Sequence, residues 1–199
     1  MPYGLAHEVA LGMPIIKQLL SPLGAVRASH AAAERLLAAD KKVLVYPGGD
    51  LDAMRPHRHR NRVVFGGRAG FMRLALKSGA PIVPIVAAGA HSTLYVIDDL
   101  RWLAKLIGAD KHLRIKVWPL TLSFPWGLTL GPMPPWIPFP AKIRIEVLDP
   151  IVFEGAHPRD ADDPELVASR AEHVRQTMET ALQRLASVDP ATAGGAADH

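Results

Sequence analysis

Proline decides what this chain can become. It has 18 prolines in 199 residues, and many interrupt two long stretches that lack Asp, Glu, Lys and Arg, Ser78–Ile97 and Val117–Ala141. Each stretch is long enough to cross a bilayer as a helix. The first holds Gly79, Pro81, Pro84, Gly89 and His91; the second holds Pro119, Pro125, Pro132, Pro134, Pro135, Pro138 and Pro140. Proline removes a backbone donor and breaks a helix interior, and lipid cannot satisfy a broken backbone. Neither stretch reads as a spanning helix. No basic region leads into an apolar core and cleavage site at the N-terminus, so no signal peptide is read. The expectation is a cytoplasmic protein that lies on a membrane without crossing it.

Apolar residues make up 49% of the chain and charged residues 21%, which excludes a disordered protein and supplies a core. The length suits one domain. There is no Cys, which excludes disulfides, thiolate metal sites and a Cys nucleophile. No metal-ligand spacing is seen among the histidines. The net charge of +4 matters less than where the charges sit.

Met1–Leu23, interrupted by Pro14 and Pro22, reads as short helices or loops. Ser29 can cap a helix to about Asp40. Val43–Tyr46 reads as a buried strand feeding Pro47-Gly48-Gly49, and Val63–Phe65 as a second short strand. A helix is expected from Ala69 to Ser78, stopped by Gly79, then a strand over Ile82–Val86 and a helix over Leu100–Ile107. Leu113, Ile115 and Val117, and later Ile143, Ile145 and Val147, alternate with polar residues, which predicts two strands with one buried face each. Trp118–Pro140 between them reads as a rigid or interfacial Trp/Pro segment. Val167, Ala171, Val174, Met178, Leu182 and Leu185 mark the face of a last amphipathic helix starting near Asp163-Pro164-Glu165. Residues 188–199 read as a flexible tail. The expected fold is a single α/β domain over 1–187, with a mixed β-sheet flanked by helices.

Charge is strongly uneven. Between Asp52 and Asp98 lie Arg55, Arg58, Arg60, Arg62, Arg68, Arg73 and Lys77 and no acid, with His57 and His59 interspersed. Arginine offers a fork of donors matched to phosphate oxygens, and glycine turns and helix starts expose backbone N–H groups. Gly66-Gly67-Arg68 ahead of a helix combines these. One reading is a site for a phosphate-bearing substrate; the other is a solvated basic loop touching anionic lipid. Pro47-Gly48-Gly49-Asp50-Leu51-Asp52-Ala53 is an ordinary turn or a place where backbone meets a ligand closely. It lacks the Gly-Lys-Ser/Thr ending of a P-loop.

Val43–Ala53, Gly66–Phe71 and Gly79–Ile85, in this order, resemble the glycerolipid acyltransferases. These are lysophosphatidic acid acyltransferase-like enzymes, and the resemblance is nearest to the diacylglycerol acyltransferases of the second type. That branch shows Pro-Gly-Gly-x-x-Glu-Ala, and here Asp52 stands at the Glu position. The resemblance implies transfer of an acyl group from acyl-CoA or acyl carrier protein, as co-substrate, to a hydroxyl of a glycerolipid or lysophospholipid. It implies a role in lipid metabolism and phospholipid biosynthesis, peripheral membrane contact, and no cofactor or metal. Gly48, Gly49, Asp50, Asp52, Arg55, Arg62 and Arg68 become the implied substrate-binding residues, with Asp52 orienting an arginine.

The family uses a His-x4-Asp motif whose His is a general base on the acceptor hydroxyl. Five residues after His7, His30, His57, His59, His91 and His112 stand Gly12, Arg35, Arg62, Val64, Val96 and Val117, so no histidine of the chain is expected to carry the motif. In the family the motif precedes the Pro-Gly-Gly block, so Met1 is expected to lie just downstream of it in a truncated product. The alternative is a non-catalytic lipid or acyl-CoA binding relative. No catalytic residue is identified; His91, after the Val-Pro strand, is the one candidate, against a plain loop histidine. A nucleic-acid binder is disfavoured, since no aromatic residues for base stacking interleave with the arginines.

Overall fold

In the computed structural model the described residues are 3–6, 25–27, 29–109, 116–131 and 136–188. The chain divides into two compact units, one of Met1–Pro47, Gly67–Ile82 and Pro150–Glu172, the other of Gly48–Gly66, Val83–Asp149 and His173–His199.

In the first unit, β1 (Tyr3–Ala6) lies between β2 (Ala25–Arg27) and β3 (Val43–Leu44), parallel to both. Ser29 Oγ accepts from the Ala32 amide at 3.1 Å and so starts α1 (His30–Ala38), as its position before an Ala/Leu run predicts. An intervening short helix, α2 (Asp50–Ala53), belongs to the second unit. Helix α3 (Gly70–Ser78) ends at Gly79, in the left-handed region with φ 66°. Met72, Ala75 and Leu76 of α3 form the core with Ala161, Val167 and Ala171, flanked by Ile82 and Phe153. His30 is exposed, and its imidazole lies against Gly70, where a Cβ would sit 2.9 Å from its Cε1.

The second unit holds two antiparallel sheets. One pairs β4 (Ile85–Ala88) with β8 (Arg144–Val147). The other orders β5 (Tyr95–Asp98), β6 (Leu120–Ser123) and β7 (Gly127–Leu130) side by side. Helix α4 (Arg101–Leu106) follows β5. Helix α5 (Pro164–Ser187), capped by Asp163 Oδ1 on the Glu165 and Leu166 amides, contributes its residues from His173 onward to this unit and buries Val174, Ala181 and Leu182.

The α/β class holds, but the single mixed sheet does not. Three small sheets stand in its place, one parallel and two antiparallel, among the described residues. Proline stands just before β4 and β6, at Pro84 and Pro119, where it supplies no ladder donor. The Trp/Pro segment contains the β6–β7 hairpin rather than irregular chain. Val63–Phe65 is not a strand: Val63 and Phe65 are buried, yet the Val64 amide donates to a carboxylate, Asp52 Oδ1, instead of a neighbouring strand. The strand at 143–147 forms, but Ile145 and Val147 face outward. No layer among the described residues covers that side. The expected Leu113–Val117 strand and the 188–199 tail lie almost wholly outside the described residues.

Candidate functional site

Asp52 is the hub of the second unit's turn. Its Oδ1 accepts from Arg55 Nη1 at 2.6 Å and from the Val64 amide at 3.0 Å. Arg55 is 4% exposed. Nη1 also donates to the Asp52 carbonyl at 2.9 Å, Nε to the His59 carbonyl at 3.1 Å and Nη2 to the Arg60 carbonyl at 2.8 Å. Burial pulls the Arg55 pKa down against the opposing pull of Asp52, but an arginine still keeps its charge. The carboxylate therefore holds an arginine of the basic cluster, and that arginine is spent on internal acceptors. It clamps the turn instead of offering an open fork to a ligand.

Gly48 is required by this knot. A Cβ on it would lie 2.2 Å from the Val64 carbonyl oxygen and 2.3 Å from Asp52 Cβ, so two backbone segments meet where a side chain would stand. Gly49, at φ 52°, turns the chain into α2. Asp50 Oδ2 accepts from the Lys116 amide at 2.8 Å, anchoring a distant segment.

His91 closes the knot from the turn after β4. Its Nε2 lies 3.0 Å from the Asp52 carbonyl. A carbonyl only accepts, so Nε2 carries the hydrogen and Nδ1 the lone pair. Burial lowers the His91 pKa, and the neighbouring Arg55 charge lowers it further. The ring is a neutral imidazole at pH 7, held in one tautomer.

Arg62 is exposed and lines a cleft of about 530 Å³ with residues 63–65, Gly66, Arg175, Glu179 and Gln183. Arg175 ion-pairs with Glu179 and reaches the Val63 carbonyl. The lining of this cleft is more polar than apolar. Arg175 and Gln183 were not anticipated. Residues 175, 179 and 183 step by four along α5, the spacing that lines up one helix face, and that polar row was the available signal. Arg68 lies in the first unit and is half-buried.

One His-x4-Asp spacing does occur, at His157 and Asp162, and the expectation of none is corrected accordingly. It follows the Pro-Gly-Gly block instead of preceding it. The His157 ring accepts from the Asp160 amide, and Asp160 Oδ2 accepts from the His157 amide, so the ring caps the 3-10 turn Pro158–Asp162. A capping ring at an exposed turn is a structural arrangement. Among the described residues no group of three His, Cys, Asp or Glu is placed to hold a metal. No helix of the described residues is long and apolar enough to cross a membrane.

A family model described as diacylglycerol acyltransferase matches residues 5–117, a span that contains the whole Asp52–Arg55–His91 knot. The chain belongs to the diacylglycerol acyltransferase family. An uncharacterised protein of Mycobacterium tuberculosis is 31% identical over 181 residues, covering 91% of this chain and 48% of its own length. Diacylglycerol O-acyltransferase 2-like protein 6 of Bos taurus is 29% identical over 93 residues, covering 45% of this chain and 28% of that protein. The chloroplastic phytyl ester synthase 2 of Arabidopsis thaliana is 32% identical over 77 residues, covering 39% and 11%. The chain thus spans about half the length of its mycobacterial relatives. No solved structure matches it. This member of the diacylglycerol acyltransferase family keeps the Pro-Gly-Gly turn as a backbone knot whose one exposed arginine neighbour in the cleft is Arg62.

Proposed function

We propose that this protein serves O-acyl transfer from acyl-CoA or acyl carrier protein to a hydroxyl of a glycerolipid, and that its residues bind the phosphate-bearing end of donor or acceptor. Family membership supports the acyl-transfer half of this reading. The observation that carries the binding half is the polar cleft lined by exposed Arg62 together with Gly66 and Gln183. Arginine in such a cleft makes charge-assisted hydrogen bonds to phosphate oxygens. Behind it, Asp52 and Gly48 hold Val64, Arg55 ties the 59 and 60 carbonyls, Gly49 turns the chain into α2, and Asp50 holds the Lys116 amide. Arg68, in the first unit, is not assigned to that cleft.

In the reaction, the acceptor oxygen bonds to the thioester carbonyl carbon, the C–S bond breaks, and the hydroxyl proton passes through a base to the departing thiolate. Such a base contributes roughly 100- to 10,000-fold. Within these residues, His157 is a cap and His91 donates to a carbonyl, and neither is paired with a carboxylate as in the family motif. For the described residues, ligand binding with acyl transfer near background is therefore the expected outcome.

Equilibrium binding of acyl-CoA, lysophosphatidate and phosphate-free monoacylglycerol tests this. The two phosphate ligands should bind, and the neutral lipid about tenfold more weakly or less, from loss of one charged contact. Binding of acyl-CoA alone would assign the phosphate to the donor, and of lysophosphatidate alone to the acceptor. Equal binding of monoacylglycerol would overturn the reading.

A further inference from the structure

The cleft beside Arg62 carries both signs of charge. Its charged lining residues are Arg62, Arg175 and Glu179, and all three belong to the second unit. Arg175 is ion-paired with Glu179 one turn along α5, and the same Nη1 reaches the Val63 carbonyl at 3.5 Å. The two paired side chains are 26% and 21% exposed, so salt and water screen them less than charges on an open surface. Arg62 is exposed, and among the described residues no carboxylate stands within ion-pair distance of it. The Val64 amide is given to Asp52 Oδ1 and the Val63 carbonyl accepts from Arg175. Side chains therefore set the charge that a ligand meets there. Two cations and one anion leave the lining with a single net positive charge.

That balance discriminates among phosphates. A phosphodiester carries one negative charge, whereas a phosphomonoester gains a second as pH rises past about 6. A diester beside Arg62 and Arg175 matches the net charge of the lining. The second charge of a monoester finds no further cation among the lining residues and lies against the Glu179 carboxylate. Like charges brought together at an interface suppress the wrong partner, and a group placed to repel is a common source of specificity. Two arginines without that acid would hold a dianion better, since charge-assisted hydrogen bonds strengthen with the acceptor's charge. Gln183, exposed and one turn beyond Glu179, adds a neutral amide, which donates to phosphate oxygen without changing the charge balance.

We propose that Glu179 makes this cleft select a singly charged phosphodiester over a doubly charged phosphomonoester. This rests on the phosphate reading of the cleft and narrows its ligand class. Glu179 is on this account a specificity-determining residue and not a catalytic one. The diester has two possible sources: the headgroup of a lysophospholipid, on the acceptor side, or the pantetheine arm of an acyl carrier protein, on the donor side.

The test is calorimetric titration of the full chain at about pH 8, where a monoester is close to a dianion. Submicellar lysophosphatidylglycerol and lysophosphatidate give the diester and monoester on the acceptor side. Holo acyl carrier protein, measured against its apo form, and free 4′-phosphopantetheine give them on the donor side. The parent should prefer the diester by about tenfold or more, the scale of one extra unit charge a few ångströms from a carboxylate near a protein surface. Glu179→Gln keeps the side-chain shape and an acceptor for Arg175; it should tighten monoester binding by about tenfold and remove the preference. Gln183→Glu adds an acid at an exposed position and should widen the preference, so the inference is tested even if Glu179→Gln fails to fold. A preference confined to the lipid pair supports the proposal and assigns the diester to the acceptor; one confined to the pantetheine pair assigns it to the donor. A parent that prefers the monoester, or an equal gain for both members of a pair in Glu179→Gln, would overturn the proposal. The phosphate reading would survive that result if Arg62→Ala still weakened every phosphate ligand. Binding of all of them no tighter than phosphate-free monoacylglycerol would overturn both.

Discussion

At the scale of single residues, Asp52 and His91 carry the account of the knot. Asp52→Ala removes a charged contact to a buried arginine and orphans the Val64 amide. It should lower stability by about 1.5–3 kcal/mol, the range for hydrogen bonds to charged groups, and not more, because the carboxylate side chain is 40% exposed and water replaces part of it. Urea denaturation reads this, and an unchanged midpoint would remove Asp52 from its central place. His91 gives a pH signature. It is faced by Arg55, Asp52 and His57, and burial with the Arg55 charge lowers its pKa in the folded state. Above about pH 6.5, the ordinary imidazole value, neither folded nor unfolded His91 is protonated and it contributes no pH dependence. As pH falls through that value, the unfolded chain takes up a proton that the folded chain resists, so stability drops until the lower folded pKa is passed. His57, lowered by burial and then by Arg60, acts with the same sign. Urea midpoints measured from pH 8 to pH 5 should fall, and His91→Gln should flatten part of that fall. An identical slope in the variant would show that His91 is protonated normally.

At the scale of elements, turn chemistry and helix punctuation were readable. Ser29 before α1, Gly79 after α3 and Asp163 before α5 each start or stop a helix where their chemistry requires it. The strands were less readable, for a physical reason. Sequence alternation identifies a strand with two unlike faces, but not which face is covered. Ile143, Ile145 and Val147 alternate as expected, and the covered side holds Glu146, ion-paired to Arg184. The β6–β7 hairpin was hidden because its prolines and tryptophans resemble a loop, while Thr121 and Ser123 fill the buried positions where apolar residues are sought. In the candidate site, the motif residues were legible as a group but not their roles. Only coordinates separate an arginine turned inward, Arg55, from one turned outward, Arg62. Gly48→Ala tests the backbone knot at this scale: the added methyl meets the Val64 carbonyl and Asp52, and should cost about 1–3 kcal/mol as overpacking. An unaltered melting temperature would show that the two segments separate freely.

At the scale of the whole molecule, belonging to an acyltransferase family is distinct from what these 199 residues do alone. Mixed with acyl-CoA and lysophosphatidate, the chain should form ester near the uncatalysed rate, and His157→Ala should leave that rate unchanged because the ring serves as a cap. Robust turnover would instead place the base within this chain, with His91→Ala the variant to silence it. The central claim is that a phosphate-bearing ligand sits in the cleft beside Arg62. Calorimetric titration of the parent chain and Arg62→Ala with CoA and with lysophosphatidate tests it most directly. The account predicts that the variant folds within about 0.5 kcal/mol of the parent, as exposed sites do. Its affinity for the bound phosphate ligand should be weaker by about 1.5–3 kcal/mol. Equal affinity in a folded Arg62→Ala would contradict it.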